Sequence, residues 1–220
     1  MFAVISAAFA PGLAILSYIY LRDKYEPEPL KLIFKMFLLG SLLVFPAYVF
    51  ERVFQEGLSH LSWYNGILTI AAIEEFLKWF VLYFMLYKHI EFNEIYDGIV
   101  YAVSVSIGFA SIENLGYLIF NSFEPAVILL RAFLPVSSHA LFAILMGFFL
   151  GKAKFSARNQ HRYLIISLII PIIFHSIYNF ILSQQFTNWI YLMIPFILFL
   201  WVYSLYKIRL ANMLSPFKKD

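Results

Sequence analysis

The chain is 220 residues long, 62% hydrophobic and only 13% charged, with a mean hydropathy of +0.80. A soluble domain of this size cannot hide that much apolar surface, so the composition selects a polytopic, all-α membrane protein. There is no cysteine, which excludes disulfides and thiolate chemistry, and the net charge of +3 is too small to mark a nucleic-acid binder.

Seven apolar segments follow one another, at about residues 2–21, 32–51, 65–87, 98–120, 129–150, 163–183 and 189–206. Each has roughly 18–23 residues, enough to cross a hydrocarbon core of ~30 Å at ~1.5 Å per residue. The first has no basic stretch before it and reads as an uncleaved span. The third carries Glu74 and Glu75, with Lys78 one turn later. The fourth opens on Asp97-Gly98 and carries Glu113-Asn114. The fifth carries His139, and Pro125, Arg131 and Pro135 predict a short interfacial stretch before the helix proper. The sixth carries His175 and Asn179 on one face, at i and i+4. Loops are short and no repeat is visible, so residues 1–220 read as a single membrane domain.

Lysine and arginine placement sets the orientation. One side of the predicted bundle holds Arg22, Lys24, Lys31, Lys35, Lys88, Lys152, Lys154, Arg158, Arg162, Lys207, Arg209, Lys218 and Lys219. The other holds only Arg52 and Arg131. The N-terminus is therefore expected outside and the C-terminus in the cytoplasm. His60, His89 and His161 fall at span ends or in loops and take no role.

Under this topology Glu74, Glu75, Glu113, His139, His175 and Asn179 all lie between the midplane and the outer surface. A carboxylate at that depth costs several kcal/mol unless something compensates for it. Polar groups on four helices at one level predict a shared cavity. Lys78 is one turn from both glutamates and can pair with either. Neighbouring helical residues point ~100° apart, so the two glutamates have different surroundings. A single intramembrane histidine is more often a helix–helix hydrogen-bonding partner than a catalyst. The adjacent glutamates with a lysine are harder to explain as structure alone.

With Ala10-Pro11-Gly12, Tyr25-Glu26-Pro27-Glu28-Pro29, Glu74-Glu75-x-x-Lys78, Phe109-x-x-x-Glu113-Asn114, His139-Ala140-Leu141-Phe142 and His175-x-x-x-Asn179, the chain resembles the PrsW-type intramembrane proteases. The likeness is greatest to their Bacillus-type members. That family is related to the CAAX prenyl endopeptidases and the bacterial Abi proteins. Lys78 in place of an arginine one residue later, and Glu113 in place of histidine, argue against a prenylated substrate. The resemblance implies a multi-pass protein of the bacterial cell membrane. It also implies site-1 cleavage of a single-pass anti-sigma factor in an envelope-stress response. The partners expected are that substrate and the lipid bilayer, with no nucleic acid.

The mechanism expected is hydrolysis by a water that Glu74 or Glu75 deprotonates. Helical spacing does not choose between them; the resemblance to the prenyl endopeptidases favours Glu74. His139 would orient the water or protonate the leaving amine, with Glu113 orienting a histidine. His175 and Asn179 would donate to the developing oxyanion. Lys78 and Asn114 are supporting residues. No cofactor is expected; the alternative is a zinc site with Glu75, His139 and His175 as ligands. Two rival readings are a proton- or cation-coupled transporter and a non-catalytic scaffold. The transporter is disfavoured because no inverted repeat or broken helix pair is visible.

Overall fold

The computed structural model describes residues 2–57, 63–120, 125–184 and 189–218. His60 lies outside them. Among the described residues there are seven α-helices and no strand. They are α1 (Phe2–Leu21), α2 (Leu30–Gly57), α3 (Trp63–Met85), α4 (Ile95–Phe120), α5 (Pro125–Lys154), α6 (Gln160–Ser183) and α7 (Trp189–Met213). Six are long and apolar enough to cross a membrane. The exception, α3, has 23 residues but carries Glu74, Glu75 and Lys78 in its middle. The chain is a polytopic helical bundle, as its composition predicts.

Two expectations change. The stretch before the fifth span is not a separate interfacial segment: α5 is helical from Pro125 and runs through Pro135. Pro125 opens the helix, where a missing N–H costs nothing, so no break is needed there. Helices α2 and α7 also run on beyond the apolar segments, to Gly57 and Met213. Backbone hydrogen bonding continues past the point where the sequence turns polar.

Helix α4 is the axis of the bundle. It is buried without a break from Ile95 to Ser111. Between helices in lipid there is little hydrophobic drive, so association depends on close packing and hydrogen bonds. Gly98 on α4 and Gly147 on α5 face each other so closely that a Cβ on either would strike the other's carbonyl. Gly40 on α2 and Gly108 on α4 allow a similar approach, to Val105 and Phe37 respectively. Side-chain bonds then fix the register. Ser41 Oγ donates to the Gly108 carbonyl at 3.1 Å, Ser106 Oγ to the His139 carbonyl at 2.9 Å, and Trp79 Nε1 to Ser167 Oγ at 2.8 Å.

A second set of bonds gathers the opposite chain ends. Tyr96 donates to the Ile19 carbonyl at 2.8 Å, Asn212 to the Arg22 carbonyl at 3.3 Å, and Lys154 to the His89 carbonyl at 3.0 Å. Gln160 reaches Tyr87 at 3.0 Å, and Asn93 reaches Glu26 at 3.0 Å. The end of α1 therefore sits with the starts of α2, α4 and α6 and the ends of α3, α5 and α7, so consecutive helices alternate in direction. Twelve of the thirteen basic residues assigned to one side by sequence belong to this end, and Lys219 lies outside the described residues. Asp97 caps α4 here, its Oδ2 accepting the backbone N–H groups of Asn93 and Glu94, both at 2.7 Å. Tyr101 donates to Glu28, whose carboxyl is pushed up to about 10 by burial and then by Asp97.

Candidate functional site

The structure brings Glu74, Glu75, Lys78, Glu113, His139 and His175 into one connected group across α3, α4, α5 and α6. Glu75 is its centre and is fully buried. Its Oε1 lies 2.7 Å from Lys78 Nζ and 2.9 Å from His175 Nδ1. Lys78 Nζ also lies 3.3 Å from Glu74 Oε2 and 3.0 Å from His139 Nδ1. His139 Nε2 is 3.0 Å from Glu113 Oε2, and Arg131 on α5 approaches Glu113 Oε1 at 3.9 Å.

These contacts assign protons. An ammonium only donates, so His139 Nδ1 accepts from Lys78 and its Nε2–H donates to Glu113. His175 donates Nδ1–H to Glu75, which leaves its Nε2 as a free acceptor. The two rings lie 5.1 Å apart and nearly perpendicular. Phe142 stacks on His175 at 5.2 Å, and Phe109 places its face 4.2 Å from the Lys78 ammonium. Two aromatic walls therefore enclose the charges, which strengthens every electrostatic contact inside.

Exposure falls from one end of the group to the other. The Glu113 side chain is 35% exposed, that of Glu74 8%, and that of Glu75 0%. The opening is thus on the Glu113–Arg131 side, at the end of the bundle away from the basic loops. Glu75 is held by two donors on one oxygen, and its Oε2 is buried without a partner. Among the described residues Glu74 has one contact in the group, at 3.3 Å, and its side chain keeps a small exposure that Glu75 lacks.

Some residues singled out by sequence are not bonded into the group. Asn179 is half-buried and makes no hydrogen bond to it among the described residues. Asn114 is 1% exposed, and neither atom of its amide has a partner among the described residues. Other residues join that sequence reasoning gave no role at the site. The sequence marks Arg131 as an outer-side charge in an interfacial stretch, not as a site residue. Glu51, near the outer end of α2, lies close enough to feel the charges of Glu74, Glu113 and Lys78. Phe109 and Phe142 were legible only as motif positions. A carboxylate near a span end looks like interfacial polarity, so nothing in the sequence marked Glu51.

The donor set also fits a metal. Glu74, Glu75, His139 and His175 offer one ligand atom each within 4.8 Å of one another. Two carboxylates and two imidazoles are the ligand types zinc takes. The Lys78 ammonium stands among three of these four groups, so it already supplies a positive charge where a metal would.

A family model described as PrsW family intramembrane metalloprotease matches residues 28–204. The chain is 49% identical over 213 residues to Protease PrsW of Geobacillus kaustophilus, covering 96% of this chain and 93% of that protein. It is 47% identical over 214 residues to Protease PrsW of Bacillus subtilis, with 96% and 97% covered. The likeness extends to Protease PrsW of Clostridioides difficile, at 34% over 211 residues, with 92% and 88% covered. No solved structure matches the chain significantly. The chain belongs to the PrsW family of intramembrane proteases and is a membrane peptidase.

Proposed function

We propose that this PrsW-family protease sits in the bacterial cell membrane and makes the site-1 cut in a single-pass anti-sigma factor, near the outer face. The observation that carries the chemistry is the asymmetry of the two glutamates. Glu75 is fastened by Lys78 and His175 through one oxygen, whereas Glu74 has one longer contact to Lys78 and is the less deeply buried of the two. A general base must reach water and accept a proton, which suits Glu74. Glu75 serves as the anchor that holds Lys78 and orients His175.

In this reading Glu74 takes a proton from a water that attacks the scissile carbonyl. Glu74 passes that proton to His175 Nε2, within reach across the group, and His175 then donates to the oxyanion or to the leaving amine. Glu113 keeps the His139 tautomer fixed. The substrate helix would lie against the apolar groove between α2, α3 and α6, about 630 Å³ in volume and lined by Phe50, Phe54, Leu68, Ala72, Phe76 and Ile172. That groove follows α3 on the turns that flank Glu74. The outward opening of the site at Glu113 matches a cut near the outer end of a substrate span.

A second reading is favoured by the donor set and by the family description. Glu75, His139 and His175 would hold a zinc ion, with Lys78 displaced; when bound, such an ion polarises a carbonyl and acidifies water. Glu74 remains the proton acceptor in both readings. The deciding experiment is cleavage of a single-pass anti-sigma factor by the purified protein in proteoliposomes, with and without a zinc chelator. Cleavage that survives chelation supports the lysine-centred site, and loss restored by added zinc supports the metal site. No cleavage by well-folded protein of any membrane-spanning anti-sigma factor would overturn the substrate assignment.

A further inference from the structure

The end of the bundle opposite the Glu–His–Lys group carries a second set of buried acids that peptide hydrolysis does not use. Asp23 follows α1, Glu94 precedes α4, and Asp97 lies in the first turn of α4. One carboxylate oxygen from each lies within 4.8 Å of one from each of the others. Glu94 is 1% exposed and Asp97 0%. Asp97 Oδ2 is used in capping α4. Its Oδ1, both oxygens of Glu94 and Oδ2 of Asp23 are buried with no hydrogen-bond donor.

Only other acids reach them: the Glu28 carboxyl lies against Asp97, and Asp23 and Glu94 lie against each other, so no basic group compensates their charge. Among the described residues none of the three acids forms an ion pair. Lys154 is near enough to feel Asp97, but its ammonium is bonded to the His89 carbonyl at 3.0 Å. The Ser215 hydroxyl flanks Glu94 without closing a well-formed bond. Buried carboxylate oxygens without donors are strongly unfavourable and call for a partner. A proton satisfies one oxygen at a time, whereas a cation satisfies several together.

We propose that Asp23, Glu94 and Asp97 form a binding site for a hard divalent cation, Mg²⁺ or Ca²⁺, at the end of the bundle that carries the basic loops. All three ligands are carboxylate oxygens, the donors that hard cations prefer over softer transition metals. Three points no more than 4.8 Å apart leave a position within about 2.8 Å of all three, close to the ~2.3–2.6 Å of Ca²⁺–oxygen bonds. Mg²⁺ would keep part of its water shell there. Asn93 Oδ1, one residue before Glu94, is also buried without a donor among the described residues. The ion would join the α1–α2 connection to the α3–α4 connection and to the first turn of α4. It would thereby fix the foot of the helix that carries Glu113 at its other end.

The test uses the full-length protein in detergent, stripped of metal, with MgCl₂ and CaCl₂ titrated in separate arms. A saturable rise in melting temperature of about 3 °C or more at millimolar ion is expected in at least one arm, and the arm with the lower midpoint identifies the ion. The Asp23→Asn/Glu94→Gln variant should lose that rise. An equal rise in this variant, or no saturable rise in the wild type, overturns the proposal. If the variant does not fold, pulsed electron paramagnetic resonance of Mn²⁺ bound to the wild type decides. Bound Mn²⁺ that Mg²⁺ or Ca²⁺ displaces, with no nitrogen coupling, supports the all-oxygen site. Imidazole nitrogen coupling would put the ion among His139 and His175 and overturn the proposal.

Discussion

His175 Nδ1 lies 2.9 Å from Glu75 Oε1, the same oxygen that Lys78 reaches at 2.7 Å. One carboxylate oxygen therefore fastens α6 to α3 and also holds the ammonium that reaches His139. Buried ionic groups are stable only when such partners are present, and they become costly when one is removed. The arrangement separates the two adjacent glutamates into one that holds the site together and one that is free to act.

Glu74→Gln and Glu75→Gln should therefore fail in different ways. Glu74→Gln removes the proposed base while keeping size and hydrogen bonding, so cleavage should fall by at least ~100-fold. Its melting temperature should stay close to wild type, because the 3.3 Å contact is the longest of the three that Lys78 makes in the group. Glu75→Gln should also lose activity, but with a clear loss of stability, since it removes the main counter-charge of a fully buried ammonium. Melting curves and cleavage rates on the same samples separate the two effects. Wild-type cleavage by folded Glu74→Gln would remove Glu74 from the mechanism.

Lys78→Met should be among the most damaging single changes for stability. It leaves Glu75, at 0% exposure, without the ammonium that compensates it. Breaking a buried pair in this way typically costs about 3–5 kcal/mol. The double variant Lys78→Met/Glu75→Gln removes both charges and should recover much of that loss while remaining inactive. Recovery measured by thermal or denaturant unfolding in detergent would show that the penalty is electrostatic. A double variant no more stable than Lys78→Met would show instead that packing around the lysine stem matters more.

The seven helices were legible because apolar length is nearly sufficient to specify a span. Their ends were less so, since α2, α5 and α7 continue where the sequence is already polar. The site was legible as a set because charge at membrane depth is costly, which singled out Glu74, Glu75, Lys78, Glu113, His139 and His175. Its wiring was not. Spacing allowed Lys78 to pair with either glutamate, and only the rotamers and the position of α6 show that both His175 and Lys78 converge on Glu75. The i, i+4 spacing of His175 and Asn179 placed them on one face, but it did not bring the amide into the hydrogen-bonded group. Arg131 and Glu51 were missed because a charge near a span end has an ordinary explanation.

Gly147→Val should weaken the bundle from a position outside the site. A Cβ at Gly147 would meet the Gly98 carbonyl and the Ile99 backbone, neither of which can move without shifting α4. Overpacking of this kind costs about 1–3 kcal/mol. Because α4 carries Glu113 and α5 carries His139, a shift of one helix against the other should also lengthen the 3.0 Å contact between them. The expected result is a lower melting temperature together with reduced cleavage. Gly57→Val, where a Cβ meets nothing within 4 Å, is the control that should leave both unchanged.

Glu28 should make stability depend on pH. Burial, and then the neighbouring Asp97, push its carboxyl from about 4.5 to about 10, so the folded chain keeps a proton that the unfolded chain gives up. For an acid with a raised value, the unfolded state releases its proton first as the pH rises, and folding becomes less favourable. This contribution is complete below about 4.5 and is lost progressively as the pH climbs through about 10. Glutamine at this position is a permanent neutral stand-in: its carbonyl can accept from Tyr101 and its amide can donate to Asp97. Glu28→Gln should therefore match wild type near pH 5, flatten the decline between pH 6 and pH 10, and be the more stable protein at pH 9. Melting temperatures of both proteins across that range are the measurement. Parallel curves would mean that Glu28 is ionised in the folded state and that Asp97 and Tyr101 do not hold its proton.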